Sequence, residues 1–331
     1  AVSLAGGSTF AITGATTIDN AIALTGNATV SNSANATLSG VISGGFNLAK
    51  SGASTLTLSG SNTYSGTTTV SAGTLSVASD SNLGSGGLTL AAGTTLAVTG
   101  STTIDNAIAL SGNATVQAAN AVTLSGTISG AGGLTKTGAG TVTLSGSNGF
   151  TGNVAVSAGG LTLSNGAAID NNSAVTMSSG TTLTLSSSET IGSLAGAGSV
   201  ALGANTLTAG GDNTSTSYSG NISGTGGGIT KTGAGTLILS GSNSNTGATT
   251  ISAGTIDAQN GDAIGNASAV SVASGAFLVL SAAETIGSLA GAGTATLGAN
   301  TLTTGGNNSS TTFSGTITGS NGMIKTGSGT L

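Results

Sequence analysis

The sequence contains no proline, cysteine, histidine, tryptophan or arginine, and four lysines are its only basic residues among 331. Without cysteine there is no disulfide and no thiolate metal site, and without histidine there is no Ser-His-Asp triad. Four lysines provide little counter-charge, so we expect neither nucleic acid nor an anionic membrane surface as a partner. No run of 18 apolar residues occurs, which excludes a membrane-spanning helix.

What the chain does contain is glycine and small aliphatic residues. There are 60 glycines, 37% hydrophobic residues and a net charge of −5. Disordered chains combine low hydrophobicity with high net charge, and this composition does not. The sequence can therefore form a core, either in about two domains or in one elongated repeat body.

Long internal repeats favour one elongated repeat body over two domains. A motif of glycine, two to four further residues and then K-[ST]-G recurs at intervals of 86, 95 and 94 residues, and its lysines are Lys50, Lys136, Lys231 and Lys325. Further matches lie between the lysines, since TTIDNAIAL is written twice, and so is ETIGSLAGAG. We predict one continuous segment over residues 1–331, built of modules of about 86 to 95 residues.

Both ends of the chain lie inside a module. Residues 1–24 align with residues 87–110, and MIKTGSGTL at 323–331 matches the opening of a motif that continues further in its earlier copies. We therefore expect the sequence to be a window cut in mid-repeat at both ends. A secretion signal or an anchor would then lie outside it.

Aliphatic residues spaced by two positions predict short strands. The pairs Leu56/Leu58, Leu75/Val77, Leu88/Leu90 and Leu96/Val98 each place two side chains on one face of a strand, between turns rich in Gly, Ser and Asn. We expect glycine to serve the tight corners. Strands of this length with turns every ~8 to 13 residues are typical of a β-solenoid. We predict an all-β, single-stranded parallel β-helix with coils of roughly 20 to 24 residues, about 15 coils in all, forming an elongated rod.

The stretch GGLTKTGAGTVTLSGSNGFTG, followed by SAGGL, resembles the passenger-associated transport repeat, also called the autotransporter-associated β-strand repeat. Residues 132–161 follow its pattern nearly throughout, residues 44–75 follow it with Ala49 and Ser51 beside the lysine, and residues 227–256 also follow it. In this third copy, Asn245 replaces the aromatic residue found at Tyr64 and Phe150.

The resemblance implies a fold and a location. Such repeats occur in passenger regions of Gram-negative autotransporters, so it implies a right-handed parallel β-helix, a place outside the cell or on the outer membrane, and an outer-membrane translocator beyond this fragment. The motif contains no catalytic residue, and we expect no enzyme, no cofactor, no metal and no small-molecule substrate.

The first lysine motif also has a competing interpretation. GGFNLAKS at Gly44–Ser51 nearly matches a phosphate-binding loop, but Ala49 stands where the second glycine is required and no helix follows. We therefore expect a solvated lysine at a turn and no nucleotide site.

The acidic residues offer no clear catalytic pair. Asp19 and Asp105 are equivalent in the repeats, as are Glu189 and Glu284, and both pairs are expected at turns. The stretch GGDNTSTSY lacks the regular nonapeptide pattern of calcium-binding solenoids. The nine acids are Asp19, Asp80, Asp105, Asp170, Glu189, Asp212, Asp257, Asp262 and Glu284.

Threonine pairs suggest one further surface. A flat outward array of T-x-T would suit ordered water and hence ice, although threonine is also a favoured exposed strand residue. The pairs are Thr55/Thr57, Thr141/Thr143, Thr182/Thr184, Thr206/Thr208 and Thr301/Thr303. The aromatic residues are expected to fill the core or cover corners; they are Phe10, Phe46, Tyr64, Phe150, Tyr218, Phe277 and Phe313.

Together these patterns predict a structural segment of an autotransporter-like surface protein, serving as a stalk or passenger for display or adhesion. A self-associating extracellular filament or matrix protein is the alternative, and ice binding is a weaker one. With four lysines and nine acids, little proton uptake separates the folded from the unfolded state, so we expect stability to vary weakly with pH.

Overall fold

The computed structural model describes residues 1–331, which divide into two compact units, Ala1–Leu161 and Thr162–Leu331. Apart from one 3₁₀ turn at Asp80–Asn82, every regular element is a short β-strand. The structure has no helix with the length and hydropathy of a membrane span. The all-β prediction is thus confirmed.

The strands from Val2 to Leu163 are β1 (Val2–Leu4), β2 (Thr9–Ile12), β3 (Thr16–Ile18), β4 (Ile22–Leu24), β5 (Ala28–Asn32), β6 (Ala36–Leu38), β7 (Ile42–Ser43), β8 (Leu48–Ser51), β9 (Thr55–Leu58), β10 (Thr68–Val70), β11 (Thr74–Val77), β12 (Leu88–Leu90), β13 (Thr95–Val98), β14 (Thr102–Ile104), β15 (Ile108–Leu110), β16 (Ala114–Ala118), β17 (Val122–Leu124), β18 (Ile128–Gly130), β19 (Leu134–Thr137), β20 (Thr141–Leu144), β21 (Gly149–Phe150), β22 (Val154–Val156) and β23 (Gly160–Leu163).

The strands from Ala174 to Lys325 are β24 (Ala174–Met177), β25 (Thr182–Leu185), β26 (Glu189–Ile191), β27 (Ser193–Gly196), β28 (Ser199–Ala201), β29 (Thr206–Ala209), β30 (Thr216–Tyr218), β31 (Ile222–Ser223), β32 (Gly228–Lys231), β33 (Thr236–Leu239), β34 (Thr249–Ile251), β35 (Thr255–Ala258), β36 (Ala269–Val272), β37 (Phe277–Leu280), β38 (Glu284–Ile286), β39 (Ser288–Gly291), β40 (Thr294–Gly298), β41 (Leu302–Thr304), β42 (Thr316–Gly319) and β43 (Met323–Lys325).

Each strand pairs in parallel with the strand one coil further along the chain. In the first unit, β3, β6, β9, β11, β13, β16, β19 and β22 form eight successive rungs of one sheet, and β2, β5, β8, β10, β12, β15, β18 and β21 form eight rungs of another. In the second unit, β24, β27, β30, β33, β35, β37, β40 and β42 are again eight rungs. Both units are therefore β-solenoids, as predicted.

Most coils have the expected length, and a few are shorter. In the first unit Val2 pairs with Ile22, so one turn of the chain takes about 20 residues. In the second unit, the turn from Phe277 to Thr294 is shorter still. Steps such as those from Val2 to Ile22 and from Thr74 to Thr95 lie in the predicted range of roughly 20 to 24 residues per coil, and only the shortest coils fall below it. The reason is that some corners are very tight, as at Gly192, which alone separates β26 from β27.

The core consists of columns of aliphatic side chains, and each column takes one side chain from every successive rung of a sheet. Leu56, Leu75, Leu96 and Val116 occupy the same register position on four consecutive rungs and are 0–1% exposed. A single coil buries too few such side chains to offset the entropy of ordering it, so each coil depends on its neighbours. This dependence explains why the sequence has to repeat.

A step of one module moves a segment to a different sheet. Lys50 lies on β8, in the sheet that begins with β2, whereas Lys136 lies on β19, in the sheet that begins with β3. In the second unit, Lys231 lies on β32 and Lys325 on β43, again in different sheets. Their intervals of 86 and 94 residues do not correspond to whole numbers of coils.

Candidate functional site

The recurring lysine is a core residue. Lys136 pairs with Val116 on the preceding rung and with Val156 on the next, so it continues a column of aliphatic side chains. Lys50 and Lys136 are 0% exposed and Lys231 is 1% exposed, whereas Lys325 is exposed. The predicted solvated lysine at a turn was thus wrong for three of the four copies.

Backbone carbonyls surround the buried ammonium groups. Lys136 Nζ donates to the carbonyl oxygens of Thr137 at 2.9 Å, of Gly138 at 2.8 Å and, one coil later, of Ala158 at 2.9 Å. We call these three acceptors the carbonyl cage of Lys136. Because one acceptor comes from the following coil, the lysine ties two coils together at their corner.

The other two buried lysines repeat this arrangement. Lys231 Nζ donates to Thr232, to Gly233 at 2.9 Å and to Ala253, in the next coil, at 3.4 Å. Lys50 Nζ donates to the carbonyls of Ser51 at 3.3 Å and Gly52 at 2.6 Å. The glycine after the lysine provides one acceptor in every copy, which accounts for the K-[ST]-G wording of the motif.

Burial lowers the pKa of these three lysines. Removal from water lowers the pKa of Lys50 and of Lys136 to about 8. Burial also lowers the pKa of Lys231, and the negative charge of Asp212 opposes that shift. A phosphate-binding loop presents its lysine to the ligand, whereas these three lysines are buried and donate to backbone carbonyls.

The two equivalent glutamates are also buried and not at exposed turns. Glu189 begins β26 with 3% exposure and Glu284 begins β38 with 2%. Glu284 accepts the backbone N–H groups of Ala263 at 3.2 Å and Ile264 at 3.4 Å, about one coil earlier. Burial raises the pKa of Glu284 to about 8 and raises that of Glu189 as well.

Asp19 and Asp105, by contrast, lie at exposed positions just after β3 and β14, in agreement with their predicted place at turns. No group of three or more acidic side chains that could hold a metal ion is present. Asp212 is the acid with a lysine partner. Burial tends to raise its pKa, but hydrogen bonds from Ser193 and Thr214 and the charge of Lys231 bring the pKa below its usual value.

The asparagine of the SGSN turn was not predicted from the sequence to have a role. Asn62 accepts the N–H of Ile42, 20 residues earlier, at 2.7 Å and donates to the carbonyl of Asn82, 20 residues later, at 2.5 Å. Asn243 does the same with Ile222 and Ala263, at 2.7 and 2.5 Å. These buried amides replace a strand hydrogen bond on each side, where the coil has no regular strand.

The threonine pairs do not form one array. In the first unit, Thr55 and Thr57 lie on β9 and Thr141 and Thr143 on β20, which belong to different sheets. In the second unit, the pairs on β25 and β29 also belong to different sheets, and Thr303 lies on β41 in a third. One unbroken column does exist, formed by Thr55, Thr74, Thr95, Thr115 and Thr135.

The column next to it is not uniform. Thr57 is followed in register by Ser76, Ala97 and Gln117 before Thr137. A flat double row of T-x-T is therefore interrupted on this sheet. The hydroxyl groups form separate single files, such as this column and that of Thr103, Thr123 and Thr143, and these files do not combine into a flat double row.

The aromatic residues divide between core and surface. Tyr64, Phe150 and Tyr218 are 0% exposed, in agreement with the prediction that they fill the core. Phe46 and Phe277 are each 43% exposed; Phe46 lies at the corner between β7 and β8, where an aromatic residue was also expected, whereas Phe277 begins β37.

The buried lysine, the K-[ST]-G corner and the SGSN asparagine, which is half-buried at Asn148, occur together in residues 48–77, 134–163 and 229–258, which the family model of the passenger-associated-transport-repeat matches. Three segments of the chain thus match the passenger-associated transport repeat, as the resemblance predicted. No curated protein and no solved structure shows a significant match to the chain. In all three repeats the distinctive side chains are directed into the solenoid and stabilise the stacking of coils.

Proposed function

We propose that this chain is a stalk-like passenger segment of an autotransporter-type protein, displayed outside a Gram-negative cell, where it provides reach for display or adhesion. The single observation behind the proposal is that three passenger-associated transport repeats are built into parallel β-ladders. Repeats of this kind, on a β-solenoid, fit an autotransporter passenger. Export of such a passenger requires an outer-membrane translocator as its partner.

The internal use of the repeat's polar side chains bears on whether the segment could be an enzyme. The polar groups of the repeat are used internally, by the carbonyl cages of the lysines and by the buried amides of Asn62 and Asn243. A catalytic site needs such groups aimed at a substrate. We therefore propose that the segment is not an enzyme and requires no cofactor.

Surface labelling of the native host tests the location. Intact cells are treated with a protease that cannot cross the outer membrane, and antibodies against residues 1–161 follow the chain. We expect its digestion in intact cells, with a periplasmic marker protein as the protected control. Protection of the chain until the outer membrane is opened would contradict the proposal.

Electron microscopy of the native material separates the two structural roles. Discrete projections tethered to the cell surface support a stalk. Regular polymers with a subunit repeat would instead support the alternative, a self-associating extracellular filament.

A further inference from the structure

One outward face of the second unit carries side chains that the equivalent faces of the other repeats lack. It lies on three successive rungs of one sheet, β33, β35 and β37, in which buried residues alternate with residues that face outward. Ile238, Asp257 and Val279 share one register position on these rungs, and Phe277 lies two residues before Val279. We call these four residues the Asp257 face.

The two equivalent faces consist of threonine and serine, apart from Ala97. Each begins on the strand that follows the lysine motif and continues over the next two rungs. The residues in place of Ile238, Asp257, Phe277 and Val279 are Thr57, Ser76, Thr95 and Ala97 in the first copy and Thr143, Thr162, Thr182 and Thr184 in the second. Single exposed apolar residues are ordinary on protein surfaces, but here the departures are neighbours and surround a carboxylate, which indicates a contact surface.

The carboxylate of Asp257 is held in a fixed orientation between apolar neighbours. Its Oδ1 accepts from Ser281 Oγ at 2.7 Å and its Oδ2 accepts from Gln259 Nε2 at 2.9 Å. Each oxygen keeps a second lone pair, so the group can accept two further donors. Ile238 and Val279 lie one rung before and one rung after it, at about 5 Å along the sheet. They restrict water on two sides, which strengthens the attraction of the carboxylate for a positive charge.

Phe277 adds an exposed aromatic ring beside this carboxylate. The ring is 43% exposed, and its register partners on the neighbouring rungs, Thr255 and Thr294, are much smaller. Asp257 lies diagonally from it, one rung earlier and two positions further along the strand, so the two Cα atoms are about 8 Å apart. A planar group that stacks on the ring can therefore also reach the carboxylate.

We propose that the Asp257 face binds a protein segment that presents one arginine between apolar side chains. A guanidinium group stacks on an aromatic ring and donates two parallel hydrogen bonds to a carboxylate, whereas an ammonium is a point charge. Ile238 and Val279 match the apolar neighbours of that arginine. The chain contains no arginine, so a second copy cannot supply the group and the partner is a different protein. Adhesion through this face rests on the proposed function and gives it a partner of stated chemistry.

The test uses the whole 331-residue chain and a synthetic peptide in which one arginine stands between two leucines in a glycine–serine frame. Calorimetric titration is done at about 0.15 M salt, which screens the general attraction of a cation to an acidic chain. We expect saturable binding. The same peptide with citrulline in place of arginine should bind about tenfold more weakly, because citrulline keeps the planar shape and loses the charge.

Two variants restore residues of the other copies and so preserve the fold. Asp257→Ser introduces the residue found at Ser76, and Phe277→Thr introduces the residue found at Thr182. Each should keep the melting temperature and weaken binding of the arginine peptide about tenfold, as expected for a residue at the centre of a contact. Asp19→Ser, which removes an exposed carboxylate from the first unit, is the matched control and leaves the affinity unchanged.

The proposal is overturned if the arginine peptide does not bind at millimolar concentration, if the citrulline peptide binds as tightly, or if either variant binds as well as the native chain. Binding of a neutral oligosaccharide that Phe277→Thr abolishes, without binding of the peptide, would also overturn it and would assign the face to a sugar. Display outside the cell is tested separately by surface labelling, so failure of one proposal is distinguishable from failure of the other.

Discussion

At the scale of single residues, the buried lysine is the most distinctive feature of the repeat. An ammonium group taken out of water is costly unless hydrogen bonds satisfy it. Lys136 meets this condition with three carbonyl oxygens, one of them from the next coil. These hydrogen bonds therefore tie two coils together at a corner and offset part of the cost of burying the charge.

Replacing this lysine should leave its acceptors without partners. We expect Lys136→Met, which keeps the length of the side chain, to lower the free energy of unfolding by about 2–4 kcal/mol, since buried carbonyls lose charge-assisted hydrogen bonds. Lys325→Met is the control, because Lys325 is exposed. Its effect should stay within about 0.5 kcal/mol. Denaturant titration measures both, and equal effects would contradict the role of the cage.

The buried ionisable groups also revise the expectation of a weak pH dependence. Glu284 has a folded-state pKa of about 8, above its usual 4.5, so stability falls as pH rises from about 4.5 to 8. Lys50 and Lys136 have pKa values of about 8, below their usual 10.5, so stability rises again from about pH 8 to 10.5. We expect a minimum of stability near pH 8.

Melting temperatures at pH 5, 8 and 10 check this minimum. Glu284→Gln should make the acid limb shallower and leave the alkaline limb in place, because it removes one of the two buried carboxyls and Glu189 still titrates. The familiar profile with highest stability near neutrality would show that the buried charges do not govern the pH response.

The inward direction of these charges could have been predicted from the sequence. Lys50 and Lys136 each lie two positions after a leucine that begins the same strand, Leu48 and Leu134, and spacing by two places both side chains on one face. The spacing by two therefore indicated that the lysines point inward, whereas the resemblance to a glycine-rich loop led to the prediction of a solvated lysine. The carbonyl cage could not be predicted, because one of its acceptors lies 22 residues away on the next coil.

At the scale of the strand and its corner, glycine is used where successive coils touch. Gly130 ends β18 with φ of 108°, and a Cβ there would lie 2.2 Å from the carbonyl oxygen of Leu110. No side chain fits without moving the backbone of one coil. The sequence patterns had already predicted that glycine serves the tight corners.

We expect Gly130→Ala to destabilise the fold by more than about 3 kcal/mol, because it combines a disfavoured φ with a clash against backbone. Gly14→Ala is the control, since nothing lies within 4 Å of its Cβ position. Thermal unfolding followed by circular dichroism should separate the two variants. Similar melting temperatures would mean that the corner can relax.

At the scale of the molecule, one coil of the solenoid is the unit that can be added or removed. Leu88 pairs with Ile108, so deletion of residues 88–107 brings Ile108 to the place of Leu88 beside Thr68. The ladders then close again with their inward side chains in register. A repeat of this kind tolerates whole-turn changes, because each coil contacts only its neighbours.

We therefore expect the chain without residues 88–107 to keep its β-sheet circular dichroism spectrum and a cooperative thermal transition. Deletion of residues 88–97 is the matched control, because half a turn places corner residues against strands. The prediction is contradicted if the two deletions are equally damaging.

At this scale the solenoid fold could largely be predicted from the sequence. The sheet to which each strand belongs could not. Spaced aliphatic pairs and module repeats predicted parallel coils, but the length of each coil depends on corners as short as Gly192. Small differences in those corners decide which sheet receives which segment. For the same reason, the threonine pairs looked like one array in the sequence and are divided among several sheets.

The change of sheet from one module to the next affects how any partner would meet this surface. Equivalent residues of consecutive modules, such as Lys50 and Lys136, lie at different azimuths around the coil axis. A rigid, flat target can then engage only a fraction of the equivalent positions at once, whereas partners arriving from several directions each find one. Adding modules to such a chain therefore increases the number of directions in which equivalent positions face. It increases the avidity for any one flat target less.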